Sequence, residues 1–167
     1  EQGDTIDKIE ILRIGKDAQN WNAVAAFNSF NQKTQKRIDA QKAKQAKELH
    51  KVSAGFKQMD SGLRYQIIQE GTGQRPVAGQ TVSVHYKGQL LDGTVFDSSY
   101  KRQKPLDFVL GQGQVIPGWD EGVSLLKVGD KARFVIPSDL AYGSRGAGGV
   151  IPPNAALIFD VELVKVS

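Results

Sequence analysis

The clearest periodic signal lies near the C-terminal end, where Leu157, Phe159, Val161 and Leu163 alternate with positions that include Asp160 and Glu162. A period of two puts the apolar set on one side of a strand and the acids on the other, so residues 156–166 read as a half-buried antiparallel strand. Similar runs at 63–69, 81–90, 106–111 and 131–137 are bounded by Gly, Pro and Asp and read as further strands. Asp92-Gly93 falls between Leu90 and Val95-Phe96 and supplies the backbone freedom of a hairpin turn. One short helix fits, at 118–126. The pattern predicts an α+β domain over 61–167, a curved antiparallel sheet of five to six strands wrapped on one short helix.

Upstream of Asp60-Ser61-Gly62 the texture changes. Residues 17–58 hold no proline and a single glycine, Gly55, with Ala, Gln and Lys dominating, so 17–60 reads as a long helical extension with Asp17 as its N-cap. Trp21, Val24, Phe27 and Phe30 recur at three-residue steps, an apolar stripe that must pack on something. Beyond it only Phe27, Ile38 and Leu49, spaced by eleven, keep a narrow seam. Val52 and Phe56 resume the apolar spacing and are expected to dock on the domain that follows. Residues 1–16 form a separate segment, whose isoleucine-rich, partly alternating stretch from Thr5 to Gly15 reads as a strand with nowhere of its own to bury.

Composition narrows the function classes. With 40% apolar residues among 167 and no long uncharged run, the chain carries no predicted membrane span and has room for one core plus an appendage. There is no cysteine, so disulfides, thiolate nucleophiles and Cys-based zinc sites are excluded. The compartment stays open, bacterial cytoplasm and periplasm both being compatible. The chain begins at Glu1 with neither a methionine nor a charged-then-apolar leader, from which a removed or missing upstream segment is expected. Its net charge of +4 resides entirely in residues 1–59, which carry 11 Lys+Arg against 7 Asp+Glu. Lys33, Lys36, Arg37, Lys42, Lys44, Lys47 and Lys51 face only Asp39 and Glu48 there. Without interleaved aromatics for base stacking, this run reads as a solvated helix and nucleic acid as an unfavoured partner.

Most catalytic constellations are missing. The two histidines, His50 and His85, fall in different predicted regions, which leaves no Ser-His-Asp set and no metal site. The glycine-rich run 143–149 lacks the following Lys-Ser/Thr of a phosphate cradle and precedes Ile-Pro-Pro, not a helix, so it reads as a surface loop. Asp120-Glu121 reads as helix N-terminal capping. No cofactor is called for.

Five ordered motifs remain: VHYKGQLLDGTVFDSS (84–99), VIPGWDEG (115–122), VGDKARFVIP (128–137), AYG (141–143) and IPPNAALIFDVEL (151–163). Together they resemble the FKBP-type peptidyl-prolyl cis/trans isomerases over residues 61–166. The resemblance implies a pocket with Trp119 as floor and Tyr86, Phe96, Val115, Ile116, Tyr142, Ile151 and Phe159 as walls. Asp97 is its main charged member, and Asp97, Tyr142 and Phe96 are the expected catalytic set. Asp97 is expected to stay ionised and paired with Arg102 or a tyrosine hydroxyl, because an unpaired buried carboxylate is costly. Phe108 and Phe134 are assigned to the core or the pocket margin, and His85 to a strand with a satisfied hydrogen bond. Two positions depart from better-known members of the family: Leu106 stands where phenylalanine is common, and Ala147-Gly148 replaces a bulkier His-Pro pair. Both predict altered substrate preference or weaker drug binding.

The resemblance implies proline-containing peptides or unfolded proteins as substrates and tacrolimus- or rapamycin-type ligands. Residues 1–58 are expected to serve a homodimer or an upstream domain, and the short segment at the chain start resembles the closing strand of a cyclophilin barrel. The rival reading is a chaperone or client-binding module that works through the helical extension, with isomerase activity incidental.

Overall fold

The computed structural model describes residues 23–167. The expected strand over 5–15, the cap at Asp17 and Trp21 lie outside the described residues, as does the side chain of Ile38. The chain divides into two compact units, one ending at Ala43 and the other running from Lys44 to Ser167. The described part of the first is helical throughout. Helix α1, Ala23–Val52, crosses the division. Val24, Phe27 and Phe30 are each more than 60% exposed on it, so the described part of the apolar stripe is uncovered. Among the described residues no helix is long and apolar enough to cross a membrane.

Seven strands follow: β1 (Lys57–Gln58), β2 (Arg64–Gln69), β3 (Thr81–Leu90), β4 (Val95–Ser98), β5 (Leu106–Val109), β6 (Lys131–Ile136) and β7 (Leu157–Val166). They form one antiparallel sheet in the order β1-β2-β6-β7-β3-β4. Strand β3 is its pivot. One edge pairs with β7 along its length, from Val82↔Val166 to Leu90↔Leu157, while the other edge is divided between β5, through Val84↔Leu106, and β4, through Gly88↔Asp97. The sheet is α+β in class and is covered on its inner side by helix α3, Pro117–Ser124.

The alternation in β7 is realised: Leu157, Phe159, Val161 and Leu163 are all at most 3% exposed. They pack with Val82, Val84 and Tyr86 of β3, Ala132, Phe134 and Ile136 of β6, and Trp119 and Val123 of α3 in one core. The helix lies unusually close to β6. A Cβ at Gly118 would fall 2.5 Å from the Ile136 side chain, and one at Gly122 would fall 2.7 Å from the Phe134 ring. Two glycines one turn apart let the backbone of α3 rest on those residues and set the height of Trp119 above the sheet.

Two elements carried no periodic signal. Strand β1 has two residues, too few for any period, and helix α2 (Ser99–Arg102) is a single turn, shorter than a helix that stands on propensity alone. Val52 and Phe56 are half-buried, and the turn after α1 is tied to the sheet where Arg64 donates to the Ser53 hydroxyl at 3.0 Å.

Candidate functional site

Four rings assemble where β3, β4, β7 and α3 converge. Trp119 meets Tyr86 edge-on at 4.9 Å between centroids and Phe159 at 5.3 Å, and Phe96 meets Phe159 edge-on at 5.6 Å. Such T-shaped arrangements place the positive edge of one ring on the negative face of another. Phe108 backs Trp119 at 5.9 Å from inside the core, and Phe134 is fully buried. The Trp119 indole N–H is buried without an acceptor among the described residues.

Sequence reasoning overlooked the residue that makes this packing possible. Gly88 faces Asp97 on β4 and Phe159 on β7, and a Cβ there would lie 2.6 Å from the Phe96 ring and 2.7 Å from that of Phe159. Only a residue without a side chain lets both rings lie across β3. The available signal was a glycine inside a strand run, which marks close approach.

The polar side of the site is held as firmly. Asp97 accepts from the Tyr86 hydroxyl, from Arg102 Nη1 at 2.6 Å and from the Ser98 backbone N–H at 2.7 Å, while Arg102 Nη2 donates to the Tyr86 oxygen at 2.7 Å. Both partners anticipated for Asp97 are therefore engaged at once. Burial alone would raise its carboxyl, but the hydrogen bonds from Arg102, Tyr86 and Ser98 outweigh that and hold it below the usual carboxylate range. Burial, reinforced by Asp97, pushes the Tyr86 hydroxyl above its ordinary value, and burial followed by Asp97 does the same to Tyr142. Ser99, fully buried at the start of α2, accepts from the Tyr86 backbone N–H at 2.8 Å and bonds His85 Nδ1 at 2.9 Å. Thus β3 and α2 are locked together beside the Asp97 cluster.

These groups border a hollow of about 210 Å³ lined by Tyr86, Phe96, Asp97, Leu106, Gln114, Val115, Ile116, Trp119, Tyr142 and Phe159. Its lining takes in each of the expected pocket residues except Ile151, which is 6% exposed in the core and bridged to Ala147. Leu106 and Gln114 line it as well. The Gln114–Ile116 rim is fixed from two directions: Gln114 Oε1 accepts from the Val109 N–H, and Asp120 accepts from the N–H groups of Gly111 and Gly113 at 2.9 and 3.1 Å. The adjacent Glu121 accepts from the Ser61 hydroxyl. Both acids are thus occupied by backbone and side-chain bracing.

A ring-lined hollow with one ionised carboxylate tied down at its edge suits binding and twisting a peptide better than attacking one. Fold and site define a peptide-binding α+β domain of the prolyl isomerase type. A family model described as FKBP-type peptidyl-prolyl cis-trans isomerase matches residues 72–164, and the chain belongs to that family. It is 57% identical over 103 residues to FK506-binding protein 1 of Dictyostelium discoideum, covering 62% of this chain and 96% of that one. It is 55% identical over 112 residues to the FKBP-type peptidyl-prolyl cis-trans isomerase FkpA of Aeromonas hydrophila, covering 67% of this chain and 41% of that relative. The crystal structure of FkpA from Escherichia coli superposes with a TM-score of 0.71 at 40% identity, covering 93% of this chain and 74% of that one. The protein is a peptidyl-prolyl cis/trans isomerase, and its substrates contain proline.

Proposed function

We propose that isomerisation takes place in the ring-lined hollow, with the X-Pro bond held over Trp119 and the proline ring against Tyr86, Phe96 and Phe159. The observation that carries this reading is the set of edge-to-face contacts that walls the cavity with aromatic rings beside a fully engaged Asp97. Rotation about a prolyl amide is slow because amide resonance must be broken, at about 18–20 kcal/mol, and no bond is made or cleaved. The planar amide is more dipolar than the twisted one. Rings that displace water from the bound amide therefore destabilise the ground state relative to the transition state, and each 1.36 kcal/mol of that difference is about tenfold in rate.

Position does the rest. Ile116 stands at the N-cap of α3, where amides have no intrahelical acceptor, and its N–H is suited to hold a substrate carbonyl on one side of the rotating bond. The Tyr142 hydroxyl, kept protonated through neutral pH, is suited to hold another. Asp97 acts mainly by fixing Tyr86 and Arg102. Ile151, buried and bridged to Ala147, ties the glycine-rich 143–149 loop to the core. FK506-type ligands, named in several relatives, enter the same hollow, and Leu106 offers them less contact than an aromatic ring.

The isomerase unit is assigned to 61–167 and α1 to an appendage, in keeping with the family match over 72–164 and with a relative of which 96% is matched by 103 residues of this chain. Turnover of a proline tetrapeptide by Phe96→Ala and Asp97→Ala is the test. Both should lose about ten- to a hundredfold in kcat/KM with circular dichroism unchanged. Unaltered turnover in both, in folded protein, would remove the hollow from consideration.

A further inference from the structure

A peptide bound through its proline must leave the hollow at both ends, and at about 3.3 Å per residue its next side chains fall just beyond the rim. Over Leu106, 37% exposed, the hollow adjoins a second one of about 370 Å³ lined by Arg102, Lys104, Pro105, Leu106 and Asp107. Nothing in the isomerisation chemistry calls for it. Its charges, however, are unequally committed. Both terminal nitrogens of Arg102 are used by Asp97 and Tyr86, and Asp107 accepts from the Ser83 hydroxyl at 2.6 Å. Lys104 and the nearby Lys101 have no ion-pair partner among the described residues. Three cations of the 101–104 segment stand against two carboxylates, Asp97 and Asp107.

That segment is anchored, so its charge has a fixed place. Helix α2 ends at Gln103 in the left-handed region, φ 51°, with the Gln103 N–H bonded to Tyr100 O and the Lys104 N–H to the carbonyl of buried Ser99 at 3.4 Å. Pro105 then restricts Lys104 to extended backbone. We propose that the second hollow is a subsite for an acidic side chain flanking the substrate proline, with Lys104 supplying the attraction and Leu106 the wall it passes. This rests on the proline occupying the first hollow.

The test uses the full chain and proline peptides identical except for Glu, Gln or Lys at each position flanking the X-Pro pair. On one side the ratio of kcat/KM for Glu over Gln should be about two- to fivefold at low salt, the size an exposed ion pair supports. It should fall toward one near 1 M salt, where the Debye length is about 3 Å. Lys104→Gln should abolish the ratio and Lys104→Glu should invert it in favour of the Lys peptide, while Lys47→Gln on α1 leaves it in place. A ratio of one on both sides in the unaltered protein overturns the subsite. So does an equal fall in the Lys47→Gln control, which would mean attraction by net charge. Loss of Gln-peptide turnover in Phe96→Ala reports separately on the first hollow, because a failed subsite leaves that result standing.

Discussion

Two phenylalanines separate the two regions of this molecule. Phe134 on β6 is fully buried beneath α3 and touches Gly122, whereas Phe27 on α1 is 63% exposed. The sheet domain makes its own interior, because strands with a period of two close on each other and on α3. The described part of α1 makes none. An Ala-, Gln- and Lys-rich helix satisfies its backbone within itself, and of its apolar side chains Val24, Phe27 and Phe30 face solvent while Leu49 and Val52 near its end are half-buried. What differs is therefore the source of order: tertiary burial in one region, local hydrogen bonding in the other.

The same substitution in both places gives the largest contrast. Phe134→Ala should cost about 3–5 kcal/mol, enough to shift the urea midpoint severely, since a ring is removed from a packed core. Phe27→Ala should stay within about 0.5 kcal/mol. A large cost at Phe27 that grows with protein concentration would break the contrast, since it would show the stripe covered by a second copy.

Next in size is Gly88→Ala. The new Cβ must displace the Phe96 and Phe159 rings, so overpacking should cost about 1–3 kcal/mol in denaturant melts. Turnover should suffer more, on the order of ten- to a hundredfold, because the displaced rings are the walls of the hollow. Stability loss without turnover loss would mean that ring placement is not critical.

A smaller effect separates the Asp97 cluster from the surface of α1. Asp97 titrates below its usual range, so its contribution to stability is present above the unfolded carboxylate value near 3.9 and is lost as pH falls through the folded value. Tyr86 is raised, so its contribution is present below about 10 and is lost as pH rises through the folded value. Turnover should accordingly be level from about pH 5 to 9. An acid limb that begins well above pH 5 in a pH–rate profile would contradict the hydrogen bonds on Asp97.

How much of this was legible depended on whether a residue acts through its own side chain or through what it leaves out. Phe159, Trp119 and Tyr86 announced themselves by motif, and the β7 alternation gave the core face directly. Gly88, Gly118 and Gly122 act by the absence of a Cβ, and nothing in a linear pattern says which ring will need that space. Ser99 was equally hidden, since its value lies in reaching the backbone of Tyr86 across the β3–β4 turn. Helix α1 was legible because its determinants are local, but the exposure of its stripe was not, since burial depends on partners that spacing does not name.

The finest contrast is between two carboxylates. Asp160 on β7 sits between Arg133 of β6, bonded through Nε at 2.5 Å and Nη2 at 3.0 Å, and Lys87 of β3 at 3.4 Å. The strand register places all three in one row, so their geometry is set by the sheet and little side-chain entropy is lost in pairing. Asp39 on α1 accepts one exposed hydrogen bond, from Gln35 at 2.9 Å, between two side chains free to reorient. Asp160→Asn should therefore cost about 0.5–1 kcal/mol at low salt and less as salt is added, whereas Asp39→Asn should be barely measurable. Equal costs at the two positions would mean that the sheet does not preorganise its outer charges, and that the difference between the regions ends at the core.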